Sequence, residues 1–140
     1  MRRLLIAGNW KMNLNLASSI ALAEGLKKAA ENNSAVDIAV CPPSVYIKAV
    51  GDALAGSKIG LGAQDVYFEK EGAFTGELST GMLADVGCQY VILGHSERRH
   101  ILHESSELIN QKVLATLNSG LVPILCVGEL LSEQIGRAHV

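Results

Sequence analysis

The sequence predicts an α/β fold in which helices cover a parallel sheet. Five short apolar runs, rich in β-branched residues, begin near residues 4, 38, 59, 90 and 122. Stretches with helical periodicity separate these runs, so strands and helices alternate throughout. Only 4% of the residues are aromatic, and a core built from aliphatic side chains suits helices packed on a parallel sheet. This alternation predicts right-handed βαβ crossovers, but by itself it does not distinguish an open sheet from a closed barrel.

Three of the predicted strands, the first, second and fourth, stop at glycine or proline. The first strand ends before Gly8, and the second ends before Pro42 and Pro43. Pro123 lies near the start of the last strand, where proline is tolerated. The predicted strands cover residues 4–7, 38–41, 59–63, 90–94 and 122–127.

Each predicted helix begins near a capping side chain or a proline and ends at glycine or a polar run. The helices cover about residues 17–30, 47–54, 80–86 and 106–118, and a further helix can begin at residue 129. The expected caps are Asn13 or Asn15, then Ser79, then Ser105 or Ser106. A short helix can also start directly after Gly94.

The composition argues against several functional classes. A formal net charge of −2 over 140 residues offers no basic surface for nucleic acid, and no apolar run approaches the ~20 residues of a membrane span. The apolar run at residues 4–7 is too short for a signal peptide. The cysteines, Cys41, Cys88 and Cys126, form no CxxC pair and are predicted to be buried, reduced thiols. We therefore expect a single cytoplasmic domain with neither nucleic-acid nor membrane partners.

Chemistry-bearing residues follow two of the predicted strands. His95 and Glu97 come directly after the fourth strand, and Asn9 and Lys11 come directly after the first. In a parallel barrel these strand ends meet at the face where active sites are found. Amides at the start of a helix after Gly94 can point at the His95 ring and disfavour its charged form. The alternatives are a satisfied core histidine, a solvated lysine and, for Glu97, a simple ion pair with Lys11 or with an arginine.

Four separated motifs together resemble the triosephosphate isomerase family in order and spacing. They are AGNWKMN at 7–13, GAQDVYFEKEGAFTGELS at 62–79, YVILGHSERR at 90–99 and PILCVGE at 123–129. The resemblance extends over residues 4–133 and implies a partial (β/α)8 TIM barrel of about five parallel strands and four to five helices. It implies an isomerase of glycolysis and gluconeogenesis that interconverts dihydroxyacetone phosphate and D-glyceraldehyde 3-phosphate, without metal or organic cofactor.

The same resemblance implies roles for individual residues. His95 would polarise the substrate carbonyl as a neutral electrophile, which is a known property of the family's histidine. Asn9 would hydrogen-bond the substrate, Lys11 would bind it and balance its negative charge, and Glu97 would contact the lysine and assist catalysis. The family's catalytic glutamate lies in a second half beyond this sequence, so the chain is expected to be an inactive fragment.

The long segment between the third strand and the next helix, residues 64–78, is expected to be a functional loop. By resemblance it would insert into a second subunit of a homodimer. The expected interface residues are Asp65, Phe74, Thr75 and Gly76. An alternative function is a non-catalytic module that binds a partner protein through this loop. Another is a different barrel enzyme acting on sugar phosphates, in which Lys11 and His95 would matter little.

Two further expectations concern metal binding and the last residues. His100, His103 and Glu104 near His95 invite a metal site, but no third ligand shares a helix face with the first two, so none is expected. Residues 1–134 are expected to be part of one barrel domain. Residues 135–140 can be back-translated to ATC GGA AGA GCA CAC GTC, which coincides with a common sequencing adapter. We therefore expect residues 135–140 to be a non-native tail, the alternative being a genuine C-terminus.

Overall fold

Five parallel strands form one sheet in sequence order in the computed structural model, which describes residues 2–130 and 132. The strands are β1 Leu5–Asn9, β2 Asp37–Cys41, β3 Gly60–Ala63, β4 Tyr90–Leu93 and β5 Val122–Leu125. All four neighbouring pairs are parallel. Parallel strands in sequence order, separated by helices, form the wall of a (β/α)8 barrel, so the expected partial TIM barrel is confirmed.

The helices are α1 Leu16–Ala29, α2 Ile47–Ala53, α3 Thr80–Asp85, α4 Ser96–His100 and α5 Ser106–Asn118. Three of the helices, α1, α3 and α5, begin at capping residues that the sequence offers. Asn15, not Asn13, caps α1 by accepting from the Ser18 amide, and Ser79 and Ser105 cap α3 and α5 in the same way. No helix among the described residues is long and apolar enough to cross a membrane. The helix expected from residue 129 and the tail at 135–140 lie largely or wholly outside the described residues.

The core is aliphatic, as the low aromatic content predicts. Strand residues Val40, Val91 and Leu93 are fully or almost fully buried beneath helix residues that include Val50 and Leu83. Burial removes these side chains from water and supplies the main favourable term in folding.

The three cysteines are free thiols in different environments. Burial raises the pKa of Cys41 to about 12 and that of Cys88 to about 11. Cys126 is only half-buried, although burial raises its pKa too. The expectation of buried thiols is therefore correct for two cysteines and wrong for Cys126, because β5 lies at the edge of the sheet.

A buried ionic network ties α5 to the loop after β3 and to α4. The Lys112 ammonium is 3.0 Å from Asp65 Oδ1 and 3.0 Å from Glu104 Oε1, and its side chain is 2% exposed. Arg98 pairs with the same two carboxylates. Burial acts to raise the pKa of Glu104, but hydrogen bonds from Lys112 and Arg98 outweigh it and hold that pKa below its usual range. Burial raises the pKa of Asp65 despite the two cations.

Replacing Lys112 by methionine should strongly destabilise the fold. The change leaves two buried carboxylates facing one guanidinium, and breaking a buried ion pair from one side typically costs about 3–5 kcal/mol. Urea unfolding followed by circular dichroism measures the loss. Lys48→Met is the matched control, because Lys48 forms an exposed i,i+4 pair with Asp52 whose loss costs only about 0.5 kcal/mol. Equal losses in the two variants would contradict a structural role for the network.

The two outer strands carry exposed apolar side chains. Within the described residues, β1 and β5 each pair with a single neighbouring strand. Ile6 on β1 is 58% exposed, and Val122 and Leu125 on β5 are nearly half exposed. An uncovered edge strand with apolar side chains is a template for association.

The 140-residue chain should therefore self-associate, and Ile6→Lys should reduce that association. A charge on an edge strand opposes pairing with another chain. Sedimentation velocity over a range of concentrations measures the effect. Val45→Lys provides the control, because Val45 is 77% exposed but lies in the short turn Ser44–Tyr46, outside both outer strands. A monodisperse monomer with a sharp two-state melt would count against the prediction.

Candidate active site

The carboxyl ends of β1 and β4 bring together the residues predicted to carry the chemistry. Lys11 Nζ lies 2.6 Å from Glu97 Oε1, and the other Glu97 oxygen lies 3.5 Å from His95 Nδ1. The carboxylate of Glu97 therefore connects two segments that are more than 80 residues apart in sequence. Asn9 joins the cluster because its Oδ1 accepts a hydrogen bond from the backbone N–H of Lys11.

His95 is the capping residue of α4. Its Nδ1 accepts the amide N–H of Glu97 at 3.2 Å, which requires a lone pair on that nitrogen. The Glu97 carboxylate is farther from Nδ1, beyond ordinary hydrogen-bond length, so the amide determines the tautomer. This hydrogen bond favours the neutral tautomer that carries its proton on Nε2, and in that tautomer Nε2 can donate a hydrogen bond to a ligand oxygen.

Arg99 supports the peptide just before His95, a role that the motif alone did not reveal. Its guanidinium donates to the carbonyl of Gly94 at 2.6 Å and to that of Cys126 at 3.2 Å, joining the ends of β4 and β5. Gly94 has φ +65°, and a Cβ there would lie 2.7 Å from Arg99 Nη2. Glycine therefore suits this turn better than a residue with a Cβ, which would also displace the Arg99 guanidinium. The available signal was the position of Arg99 one helical turn after the end of the strand.

Lys11 has an unusual backbone conformation, and its side chain reaches Glu97. Its φ is +55°, a left-handed value that is uncommon for a residue other than glycine. Its N–H donates to Asn9 Oδ1 at 2.9 Å. Because Oδ1 faces this N–H, the amide of Asn9 is oriented with its NH₂ group as the end that can donate to a ligand. Trp10, between Asn9 and Lys11, is partly buried and packs against the core.

The ion pair between Lys11 and Glu97 is accessible to solvent. The side chains are 50% and 44% exposed, respectively. The hydrogen bond from Lys11 lowers the pKa of Glu97, so this carboxylate is ionised at neutral pH. An exposed pair of this kind contributes little to stability. The lysine charge therefore remains available to an anionic ligand.

The four residues predicted for a dimer interface occupy two different environments. Asp65 lies at the base of the 64–78 loop, bound to Lys112 and Arg98. Phe74, Thr75 and Gly76 are exposed at the loop tip. The Phe74 ring packs 4.7 Å from the ring of Tyr67, which gives the loop its own small aromatic cluster. Their role as an interface stays a prediction.

The histidines after His95 do not form a ligand set. His100 ends α4, and His103 lies beyond the helix with φ +59°, so the two do not share a helix face. Within the described part of the chain, no group of three or more His, Cys, Asp or Glu side chains is arranged to hold a metal ion.

Comparison with known proteins agrees with this geometry. A model of the family described as triosephosphate isomerase matches residues 4–139. A triosephosphate isomerase of Rhodopirellula baltica is 50% identical over 133 residues, which cover 95% of this chain and 52% of the relative. One of Carboxydothermus hydrogenoformans is 53% identical over 134 residues, covering 96% and 53%. The chain thus spans about half the length of the curated relatives it matches. The chain therefore belongs to the triosephosphate isomerase family.

Proposed function

We propose that this chain carries one half of the active site of an enzyme that interconverts dihydroxyacetone phosphate and D-glyceraldehyde 3-phosphate. The observation that supports this function best is the cluster of Lys11, Glu97 and His95 at the carboxyl ends of β1 and β4. A lysine charge beside a neutral imidazole N–H suits a reaction in which a carbonyl oxygen gains negative charge.

In the proposed reaction a base removes a proton from the carbon next to the substrate carbonyl. The electron pair of that C–H bond forms a carbon–carbon double bond, and the carbonyl electrons move onto oxygen to give an enediolate. The Nε2–H of His95 donates to that oxygen, and the Lys11 ammonium stabilises its charge. Proton transfer between the two oxygens and return of a proton to the former carbonyl carbon complete the isomerisation.

Asn9 and Glu97 support this step. The NH₂ group of Asn9 is oriented to donate to a substrate oxygen, since its Oδ1 accepts from Lys11. Glu97 holds the Lys11 ammonium through the 2.6 Å contact, and we propose that it assists proton transfer. Because every step moves protons and electron pairs within one substrate, we propose that neither metal nor organic cofactor takes part.

The base and the remaining half of the site would come from the part of the relatives that this chain does not span. We propose a glutamate there as the base, so that the 140-residue chain alone has no turnover. We also propose that the complete enzyme is a cytoplasmic glycolytic homodimer whose subunits contact each other through the loop tip at Phe74, Thr75 and Gly76.

A fusion of residues 1–134 with the part of the Carboxydothermus hydrogenoformans relative that this chain does not span tests this function. We call this fusion the joined enzyme. It should isomerise both triose phosphates in a coupled spectrophotometric assay. Lys11→Met and His95→Gln should each lower kcat/KM by about 10²–10⁴, the usual contribution of a positioned charge or proton donor.

Lys28→Met is the matched control for these variants. Lys28 is an exposed lysine in the last turn of α1, and its loss should leave the rate unchanged. Full turnover in both site variants would contradict the assigned chemistry and favour another substrate. A folded but wholly inactive joined enzyme would favour the partner-binding alternative.

A further inference from the structure

We propose that Gln64 is a positioning residue for the reaction, because its side-chain amide holds Lys11 in the conformation that presents its charge. The inference deepens the proposed function and rests on it. Gln64 is the first residue after β3, and it lies in a different strand–loop segment from every residue of the site described so far. It acts through Lys11 and has no assigned contact with a substrate.

The Gln64 amide bridges the carboxyl ends of two other strands. Its Nε2 donates to the main-chain oxygen of Lys11 at 2.8 Å and to that of Cys41 at 2.9 Å. An amide nitrogen carries two hydrogens, and both are used here. One side chain from the end of β3 therefore ties together the chain after β1 and the end of β2.

Lys11 needs such support. With φ at +55° it occupies a region that side chains other than glycine adopt only when the surroundings impose it. Half of its side chain is exposed, so packing does not hold it. The two peptide groups that flank its Cα are held by side chains instead, the N–H by Asn9 and the C=O by Gln64.

The backbone on both sides of Gln64 is held in place by buried neighbours. The preceding Ala63 and the nearby Val66 are each 1% exposed. The adjacent Asp65 is bound by Lys112 and Arg98 in the buried network. The backbone on both sides of Gln64 is thus fixed, and a side chain rooted in fixed backbone can hold a strained neighbour in place.

Loss of the Gln64 donors should let Lys11 relax to a common backbone conformation. The ammonium would then leave its position beside Glu97 and bind the anionic substrate less well. The defect should therefore raise KM, which general loss of folded enzyme does not do. Substitution of an amide that makes no such bridge should have no effect.

The kinetic test uses Gln64→Met in the joined enzyme, because methionine has nearly the same length and no donor. We expect KM to rise about tenfold or more, which corresponds to one hydrogen bond to a positioned group. Gln111→Met is the matched control, since Gln111 is exposed on α5. An unchanged KM in Gln64→Met would overturn the proposal, even if thermal stability fell.

Gln64→Glu adds a pH readout that a merely structural role would not move. A protonated carboxyl can donate one of the two hydrogen bonds, whereas a carboxylate can donate neither and repels both carbonyls. The ratio of kcat/KM for this variant to that of the parent should therefore rise as the pH falls from about 8 toward 5, into the titration range of a glutamate. A ratio that does not vary with pH would contradict the positioning role.

A third readout does not depend on activity. Acylation of Lys11 in the 140-residue chain, measured by mass spectrometry, should be about threefold or more faster in Gln64→Met, because the amine is no longer held against Glu97. Acylation of Lys28 should not change. Equal rates at Lys11 would overturn the proposal. If the joined parent enzyme shows no isomerase turnover, the proposed function fails, and this labelling still decides whether Gln64 holds Lys11.

Discussion

Because neighbouring strands are parallel and lie in sequence order, the carboxyl ends of β1, β3 and β4 all lie at the same end of the sheet. The register of β1 on β2 pairs Asn9 with Cys41, so β1 continues in the ladder up to the residue that begins the site. β4 pairs along its whole length with β5 and ends at Leu93, two residues before His95. Side chains that are distant in sequence meet there because the register of the strands places their carboxyl ends next to each other.

Two side chains connect neighbouring strand ends by donating hydrogen bonds to main-chain carbonyls. Arg99 joins the ends of β4 and β5, and Gln64 joins the ends of β1 and β2. Each supports a residue that carries charge or a proton, His95 in one case and Lys11 in the other. The network around Lys112 fixes Asp65, the residue next to Gln64 at the base of the loop. Rigid support of this kind is what keeps an active-site group within reach of its ligand.

The sequence predicted the strands and most helices to within a few residues, because prolines, glycines and capping side chains act locally. It ended β1 at Ala7, whereas pairing with β2 extends the strand to Asn9. It ended β5 at residue 127, two residues beyond its last pairing residue, Leu125. The grouping of Lys11 with Glu97 and His95 was accessible from the motifs. The roles of Gln64 and Arg99 were not predicted, because Gln64 binds carbonyls that are distant in sequence, and the position of Arg99 after β4 does not by itself show which carbonyls it binds.

The central claim is that the turn after β4 presents a neutral imidazole N–H beside the Lys11 ammonium. Nitrogen NMR of the joined enzyme with ¹⁵N-labelled histidine tests it most directly, with the His95 signals identified by their loss in His95→Gln. The account predicts an unprotonated Nδ1 and a protonated Nε2 at neutral pH, with the Nε2 signal moving when a triose-phosphate analogue binds. Protonation of both nitrogens, or the opposite tautomer, would contradict it.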